Sequence, residues 1–255
     1  VAVGGNLGRP ALDLLADEPE LYVLELSSFQ LERSETLSLS LATVLNISAD
    51  HLDRYASMTD YHRAKHAIHK QVAHVVANRD DPLTIPLVPE DTPVTWWRSG
   101  EPDLNEFGLV EGDGATWLCR GPERLMCSDE LQLAGRHNYL NMLAALALGS
   151  ALKMPLEGLI EGAKRYRGLP HRCQLISQVN GVRFIDDSKG TNIGATAAAL
   201  EGLAGAGQIW LIIGGQGKGQ DFSLLKPVLD RINVRLLVMG EATEQIRADL
   251  GMNAP

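Results

Sequence analysis

Two runs of aliphatic residues each end in side chains that could bind a metal ion. The run at residues 21–24 leads into Glu25, and the β-branched run at residues 43–47 leads into Asp50 and His51. Such runs are typical of buried parallel strands, and α/β proteins build their sites where these strands end. Carboxylates and an imidazole gathered there would suit one site for a divalent metal ion and phosphate. The alternative is that each acid stands on an ordinary turn between a strand and a loop.

The glycine-rich segment at residues 214–219 is a second candidate for chemistry, because it carries Lys218 near its tip. A β-branched run at residues 209–213 precedes it, which predicts a strand that enters a glycine turn. The segment is not a Walker P-loop, since no Ser or Thr follows Lys218 and Ile212 takes the place of the first glycine. It does not fit the dinucleotide-binding glycine pattern either. A structural turn and an anion site both remain open, and the lysine favours the anion site.

The composition limits the class of protein. The chain has 255 residues and a formal net charge of -9. This length allows two domains, and the charge argues against nucleic acid as the main ligand because a phosphate backbone needs a basic face. No apolar stretch is long enough to span a bilayer, so no membrane partner is expected. Cys119, Cys127 and Cys173 lack metal-type spacing and are interpreted as reduced thiols of a cytoplasmic protein.

The elements that must position these residues follow from the hydrophobic periodicity. Residues 1–168 predict a first domain built on a parallel sheet that is covered on both faces. A helix is predicted over residues 59–76, with Thr59 as its N-cap. Further predicted elements of this domain are a helix over residues 138–152, a helix after Pro155, and short antiparallel strands and loops of an insertion at residues 80–129.

A second domain is predicted over residues 169–255. It opens with Asn180-Gly181 between two strand-like runs, and an Asn-Gly pair at this place favours a hairpin with a type I′ turn. The periodicity then predicts a helix that ends near Leu200 and strands at residues 209–213 and 234–239.

Eight segments of the chain resemble the Mur ligases of bacterial cell-wall synthesis, and they occur in the order that this family has. They are residues 4–8 (GGNLG), 25–30 (ELSSFQ), 46–55 (NISADHLDRY), 61–65 (YHRAK), 135–141 (GRHNYLN), 168–172 (GLPHR), 187–192 (DSKGTN) and 214–218 (GGQGK). Because they run through nearly the whole chain, the match is far more specific than any one motif. The resemblance implies an α/β fold, with the central ATPase domain of the family followed by its Rossmann-like C-terminal domain.

The resemblance also implies that the chain is a piece of a longer protein. Family members carry an N-terminal domain for the uridine nucleotide, an ATP phosphate loop before the first of these segments, and a longer C-terminal domain. None of these parts is in the printed sequence, which starts at Val1. We therefore expect the chain by itself to have no ligase activity.

The reaction that the resemblance implies is ATP-dependent formation of an amide bond. The segments are most similar to those of the family members that add D-glutamate to UDP-N-acetylmuramoyl-L-alanine. In such a reaction ATP phosphorylates the alanyl carboxylate, the amine of glutamate attacks the acyl phosphate, and phosphate leaves. The implied cofactors are ATP and Mg²⁺, and we expect a monomer in the cytoplasm that takes part in peptidoglycan precursor synthesis.

The resemblance also implies roles for individual residues. The implied magnesium ligands are Glu25, His51 and Lys65, the last as a carbamate. The implied catalytic residues are Lys65, His51, Arg172 and Lys189. The residues implied to bind the muramoyl substrate and glutamate are Asn6, Ser27, Gln30, Thr191 and Lys218. Those implied to bind ATP are Asn138, Asn141, His171, Arg172 and Asp187.

Two positions depart from the family pattern. Gln216 stands where Asp is usual, and Gly190 stands where Ala is common. The loss of a charge beside Lys218 leaves open whether D- or L-glutamate is added. Also open are a different Mur ligase or folylpolyglutamate synthase-like enzyme, and a non-catalytic module that binds a nucleotide or sugar nucleotide. A dinucleotide-dependent oxidoreductase is disfavoured because no fingerprint with a ribose-binding acid follows the glycine turn.

Overall fold

The computed structural model describes residues 1–51, 53–133, 135–204 and 207–252. Leu52 of the predicted metal-site segment and residues 253–255 of the predicted second domain lie outside the described residues. The strands are β1 Ala2–Gly5, β2 Tyr22–Glu25, β3 Ala42–Val44, β4 Val75–Asn78, β5 Val94–Trp97, β6 Phe107–Gly112, β7 Ala115–Arg120, β8 Glu123–Cys127, β9 Gln174–Val179, β10 Val182–Asp186, β11 Ile209–Gly214 and β12 Val234–Met239. The helices are α1 Ser28–Glu32, α2 Met58–His66, α3 Arg136–Ala151, α4 Leu156–Arg165, α5 Ile193–Gly202, α6 Lys226–Leu229 and α7 Thr243–Leu250.

The main sheet of the first domain has six strands in the order β3-β4-β5-β6-β7-β8. Strands β3 to β6 pair in parallel, and β6 to β8 pair antiparallel. The prediction of antiparallel strands in residues 80–129 is confirmed for β6 to β8, but the prediction of an insertion is wrong. This segment continues the sheet because Trp97, Phe107 and Leu118 are buried in the same core as α3.

Strand β2 is confirmed, but the prediction that it is buried is wrong. It pairs in parallel with β1 in a separate two-stranded sheet, and the side chains of Val3 and Val23 are 67% and 47% exposed. Among the strands of the described residues, β1 and β2 pair only with each other. The 3-10 helix Ala11–Asp17 packs on β1 and buries Leu14, but it leaves Val3 and Val23 exposed.

The helix predicted over residues 59–76 is shorter, and its N-cap is Ser57 rather than Thr59. The Ser57 hydroxyl accepts a hydrogen bond from the backbone N–H of Asp60 at 3.2 Å, which satisfies one free donor of the first turn. The helix proper ends at His66, and the residues that were expected to end it form β4. Strand β4 is buried along its whole length, an environment that favours β-branched side chains.

Helices α3 and α4 confirm the predictions made for them. Leu143 and Ala147 of α3 are fully buried in the main core. The N-cap of α3 is Gly135, with φ 102°, so the helix begins two residues before the predicted start at residue 138. Asn138 therefore lies inside the first turn of the helix, which starts at Arg136.

The second domain has the predicted hairpin and the predicted strands. Strands β9 and β10 pair antiparallel, and Asn180 and Gly181 have φ of 51° and 80°, as a type I′ turn requires. Strands β11 and β12 pair in parallel. Phe222, Leu225 and Ile246 form a small core beside this pair. The chain crosses from α4 to β9 between residues 165 and 174, and a domain boundary at residue 168 stays a prediction.

Helix α5 lies against the first domain at both of its ends, and a glycine stands at each contact. A methyl group on Gly202 would lie 2.5 Å from the ring of His137, and one on Gly194 would lie 3.1 Å from the Ser48 hydroxyl. The first distance is too short for a real side chain, and the second would require Ser48 to move by a few tenths of an ångström, so both glycines ease the approach. The contact at Ser48 brings the start of α5 beside the segment that carries His51.

Two further findings bear on the class of protein. All three cysteines are unpaired. Among the helices of the described residues, none combines the length and the apolar character that crossing a membrane would require.

The stability of the first domain is expected to fall at acid pH because of His69. This side chain is 5% exposed, and neither ring nitrogen has a hydrogen-bond partner among the described residues. Burial, and then the neighbouring His66, lowers the pKa of His69 to about 4. The unfolded chain binds this proton near pH 6.5, so the full stability is present above that pH and is lost as pH falls toward 4. The loss is expected to reach about 3 kcal/mol.

Urea unfolding at pH 7 and pH 4.5 would measure this effect. His69→Phe keeps a ring in place and removes the titrating group, so the variant should lose less stability between the two pH values than the unchanged chain does. An equal loss in both proteins would show that His69 does not cause it.

Candidate functional site

Lys65 lies at the centre of the first group of predicted site residues. Its Nζ atom lies 5.3 Å from the ring centroid of Tyr61, one turn earlier on α2. Burial lowers the pKa of Lys65, and the nearby carboxylates of Glu25 and Asp50 raise it only in part. This amine is therefore easier to deprotonate than an ordinary lysine, which is what a reaction with an electrophile such as CO₂ requires.

His51 belongs to the same neighbourhood. Its backbone N–H donates to Oδ1 of Asp50 at 2.9 Å, and its Nε2 lies 3.8 Å from Oδ2 of the same carboxylate. Its ring lies 5.0 Å from that of Phe29 and 6.3 Å from that of Tyr61. His51 and Lys65 therefore share Tyr61 and Asp50 as neighbours. The sequence pattern placed Asp50 near the metal site, whereas the ligand set implied by the family resemblance does not include it.

The predicted magnesium ligands come from two different sheets. Glu25 ends β2 of the two-stranded sheet, whereas His51 follows β3 of the six-stranded sheet. No group of three His, Cys, Asp or Glu side chains within the described ranges is placed to hold a metal ion. Glu25 and Asp50 offer the oxygen atoms that Mg²⁺ prefers, but a protonated Lys65 beside them would repel the ion. The donor set therefore fits Mg²⁺ if Lys65 itself carries a carboxylate.

Three residues predicted to bind substrate lie close to Glu25. The backbone N–H of Asn6 donates to the carbonyl of Glu25 at 2.7 Å. Ser27 and Gln30 form a capping box at the start of α1, in which the Gln30 backbone N–H donates to the Ser27 hydroxyl at 3.3 Å. The two side chains thus have a structural role, and their part in substrate binding stays a prediction.

The predicted ATP residues of the second domain form one compact unit. His171 Nδ1 lies 2.6 Å from Oδ2 of Asp186, and this contact lowers the pKa of Asp186 to about 2. The carboxylate of Asp187 accepts a hydrogen bond from the backbone N–H of Cys173 at 3.0 Å, and the backbone N–H of Lys189 donates to the His171 carbonyl at 3.1 Å. The structure thus brings His171, Asp187 and Lys189 together.

Gly190, one of the two departures from the family pattern, belongs to this unit. A methyl group on Gly190 would lie 2.6 Å from Oδ2 of Asp187. An alanine there would push the Asp187 carboxylate away from its position beside Cys173. For Gln216, which is exposed, the structure offers no explanation.

Arg172 and Asn138 line one cavity of about 380 Å³ between the start of α3 and the second domain. Arg167 and Arg183 line it too. The sequence did not single out these two arginines, since each looks like an ordinary surface residue until the fold brings them together. Three guanidinium groups around one cavity suit an anionic ligand. Asn141 is exposed one turn further along α3 and is not among the lining residues.

A larger cavity does not belong to this site. It measures about 440 Å³, lies along β5, and is lined by Trp96, Leu104 and Glu106 among others. None of the predicted site residues lines it. The chemistry of the lining residues, rather than the size of the cavity, therefore identifies the candidate site.

Thr191 and Lys218 lie on two segments that one side chain connects. The Gln220 carboxamide donates from Nε2 to the Thr191 carbonyl at 3.2 Å, and its Oε1 accepts from the Ile193 backbone N–H at 2.9 Å. Gln220 comes directly after the glycine-rich segment, and no sequence motif singles it out. The only local signal for Gln220 in the sequence is that a polar residue directly follows the glycine-rich segment.

Three of the predicted site residues have a backbone conformation that is uncommon for their type. His51, His171 and Lys218 have φ of 55°, 63° and 47°. Residues other than glycine rarely adopt this left-handed region, and such strain concentrates at functional sites. Five other non-glycine residues among those described also have a positive φ, so the conformation by itself does not mark the site; they are Glu18, Asp113, Lys153, Cys173 and Asn180.

Two family models and several named relatives match this chain. The family described as "Mur ligase middle domain" matches residues 7–149, and that described as "Mur ligase, glutamate ligase domain" matches residues 171–254. The UDP-N-acetylmuramoylalanine--D-glutamate ligase of Acinetobacter baylyi is 52% identical over 98% of the chain and 57% of its own length. The enzyme of that name from Pseudomonas aeruginosa is 48% identical over 100% of the chain and 57% of its own length.

The chain thus spans 57% of the length of these curated relatives. Among solved structures, the MurF ligase of Thermotoga maritima in complex with ADP matches 100% of the chain and 68% of its own length, with a TM-score of 0.67 and 17% identity. That identity supports the fold alone. The family matches together cover most of both domains, and the chain therefore belongs to the Mur ligase family.

Proposed function

We propose that the chain is the central and C-terminal part of an ATP-dependent ligase that adds D-glutamate to UDP-N-acetylmuramoyl-L-alanine. The observation that carries the proposal is the half-buried Lys65 amine, which lies over the ring of Tyr61 and feels the charges of Glu25 and Asp50. The name of the A. baylyi relative supports the choice of amino acid and acceptor. The enzyme would act as a cytoplasmic monomer in peptidoglycan precursor synthesis.

The first chemical step transfers the γ-phosphoryl group of ATP to the alanyl carboxylate. A carboxylate oxygen forms the new bond to phosphorus while the bond to ADP breaks, so the products are an acyl phosphate and ADP. Arg172 is proposed to face the transferring group, where its permanent cation would neutralise the charge that accumulates on the phosphoryl oxygens. Asn138 lines the same cavity and is proposed to hold the adenine with Asn141, while His171 and Asp187 hold the rest of the nucleotide.

Glu25, His51 and a carbamylated Lys65 are proposed to hold Mg²⁺. When bound, the ion would neutralise the crowded phosphate oxygens. Asp50, which lies beside both Lys65 and His51, would keep the imidazole oriented. Asn6, Ser27 and Gln30 are proposed to hold the muramoyl substrate next to this group.

The second step forms the amide bond. The neutral amine of glutamate attacks the acyl carbon, and the bond from that carbon to the phosphate oxygen breaks. Phosphate leaves with the electron pair of that bond and takes up the proton that the amine loses, so the products are the amide and hydrogen phosphate. Lys189, Thr191 and Lys218 are proposed to hold the glutamate carboxylates by charge and hydrogen bonds.

The test is phosphate release by a full-length ligase that contains this chain. The N- and C-terminal parts that complete it can be taken from the A. baylyi relative, whose intact form serves as the positive control. With ATP and UDP-N-acetylmuramoyl-L-alanine present, D-glutamate should give phosphate, whereas L-glutamate, D-aspartate and L-lysine should give little. Release with L-glutamate alone would overturn the stereochemical part of the proposal. Release only with a folate acceptor would overturn the choice of substrate.

The glutamate side of the site leads to a prediction about KM. In the full-length ligase, Thr191→Ala and Lys218→Gly should each raise the KM for glutamate about tenfold and change kcat little, because they remove binding that is equal in ground and transition states. We prefer Lys218→Gly to Lys218→Ala because glycine adopts the positive φ of this position without strain. Initial rates at varied glutamate and saturating ATP give both constants. An unchanged glutamate KM in both variants would exclude these residues from the pocket.

A further inference from the structure

We propose that Gln220 is a positioning residue, which fixes the glycine-rich segment against the Thr191 segment and so places Lys218 for the amino-acid carboxylates. The inference deepens the proposed function and rests on it. No motif of the family resemblance includes Gln220. The side-chain geometry alone carries the assignment.

The carboxamide of Gln220 makes one hydrogen bond on each side of Asn192, to Thr191 and to Ile193. Its Nε2 donates to the carbonyl of Thr191 at 3.2 Å, and its Oε1 accepts from the backbone N–H of Ile193 at 2.9 Å. A carbonyl can only accept and a backbone N–H can only donate, so the two partners determine which end of the amide is which. A side chain with only donors or only acceptors could not make this pair of contacts.

The segment around Gln220 is held from the other side as well. Its backbone N–H donates to the carbonyl of Gly217 at 2.9 Å, which closes a turn around Lys218. Its carbonyl accepts from Nε2 of Gln245 on α7 at 2.7 Å. A methyl group on Gly217 would lie 2.4 Å from Oε1 of Gln245, so the loop is packed closely onto α7. The side chain of Gln220 is thus the link from this rigid loop to the Thr191 segment.

The link also reaches the first domain. Ile193 begins α5, and Gly194 follows it at the contact with Ser48. Gln220 therefore lies between the Lys218 turn and the start of the helix that touches the segment leading to His51. Without these two hydrogen bonds, the strained φ of Lys218 and the position of Thr191 would each depend on separate local contacts.

Gln220→Met tests the proposal, because methionine has nearly the same length and neither hydrogen-bonding group nor charge. In the full-length ligase, the variant should raise the KM for D-glutamate about tenfold, with kcat and the KM for ATP changed less than about twofold. The matched control is Gln208→Met, at the other end of β11, whose side chain contacts Asn233 on the surface at 3.5 Å. The control should leave all three constants unchanged.

A double variant separates positioning from a general loss of structure. If Gln220 acts by placing Lys218, then Gln220→Met should raise the glutamate KM less than about threefold further in the Lys218→Gly background. Full tenfold additivity, or a fall in kcat with no change in glutamate KM, would overturn the positioning role.

The role of Gln220 and the proposed ligase function can be rejected by different results. If the full-length ligase released no phosphate with D-glutamate, the proposed function would fail, and amide hydrogen exchange at Ile193 would decide about Gln220. That amide should exchange about tenfold faster in Gln220→Met than in the unchanged protein, since its acceptor is removed. An unchanged exchange rate at Ile193 would overturn the inference whatever the enzyme does.

Discussion

Lys65→Ala is expected to reduce the kcat of the full-length ligase by about a hundredfold to a thousandfold, the range seen when one preorganised group that stabilises transition-state charge is removed. The reason lies in the position of the amine. Burial lowers the pKa of Lys65, and the carboxylates of Glu25 and Asp50 face it. A neutral amine there can add CO₂ and release a proton to give a carbamate, whose anionic oxygens are metal ligands, whereas a protonated amine would repel the metal ion. Removal of the side chain therefore removes a metal ligand and not merely a surface charge.

The carbamate role makes a second result distinctive. Formate or acetate should restore part of the activity of Lys65→Ala, because a small carboxylate can occupy the space that the side chain leaves. Lys65→Arg should have similarly low activity and no rescue, since its side chain fills the space that a carboxylate would need and its permanent positive charge repels the metal ion. Phosphate release measured at increasing formate concentration separates the two variants.

Lys70→Ala is the matched control. Lys70 lies five positions further along the chain, is exposed, and should be replaceable with no effect on kcat or on the response to formate. Lys65→Ala with near-normal activity and no added carboxylate would reject the carbamate. Equal rescue of Lys65→Ala and Lys65→Arg by formate would also reject the carbamate.

Arg172→Ala is expected to lower kcat about a hundredfold and to leave the KM for glutamate unchanged. Arg172 lines the cavity that also contains Asn138, Arg167 and Arg183, so its cation lies where nucleotide phosphates are proposed to bind. A group that acts on the transferring phosphoryl charge affects the chemical step rather than amino-acid binding. Initial rates at saturating ATP with varied D-glutamate distinguish the two effects.

Arg231→Ala serves as the control for this second prediction. Arg231 is on the surface of the same domain, where it pairs with Glu201 at 2.8 Å, and its loss removes an equal charge outside the cavity lining. Its kcat should stay within about twofold of the unchanged enzyme. If Arg172→Ala behaved like Arg231→Ala, Arg172 would have no part in phosphoryl transfer.

Elements with a strong local signal could be predicted from the sequence. Helix α3 has a long apolar run, the hairpin of β9 and β10 has Asn180-Gly181 at its turn, and β12 begins and ends at the predicted residues. In each case the signal comes from the preference of neighbouring residues for one backbone conformation. The motifs that identify the family are local in the same sense, since each is a short run of residues. Their order along the chain determined the family without any knowledge of contacts.

Relations between distant segments could not be predicted in this way. Glu25 and His51 lie at the ends of strands from two different sheets, residues 80–129 continue the main sheet instead of forming an insertion, and β2 is exposed. Periodicity reports which face of a strand is apolar, but it does not report which element covers that face. The same pattern of aliphatic residues occurs in strands that other elements cover and in strands that stay exposed. Only the packing of the fold decides which of the two a strand is.

Some features of the candidate site were likewise determined by the sequence, and others only by the tertiary structure. Residue type and motif order determined that Lys65, Arg172 and Lys218 are candidates for chemistry. Tertiary structure decided the burial that lowers the pKa of Lys65, the meeting of three arginines around one cavity, and the contact of Gln220 with the Thr191 segment. The physical reason is that desolvation, charge and hydrogen bonding depend on distances between side chains that are far apart in the chain. The sequence by itself determines the residue types and their order, and the fold determines which of them meet.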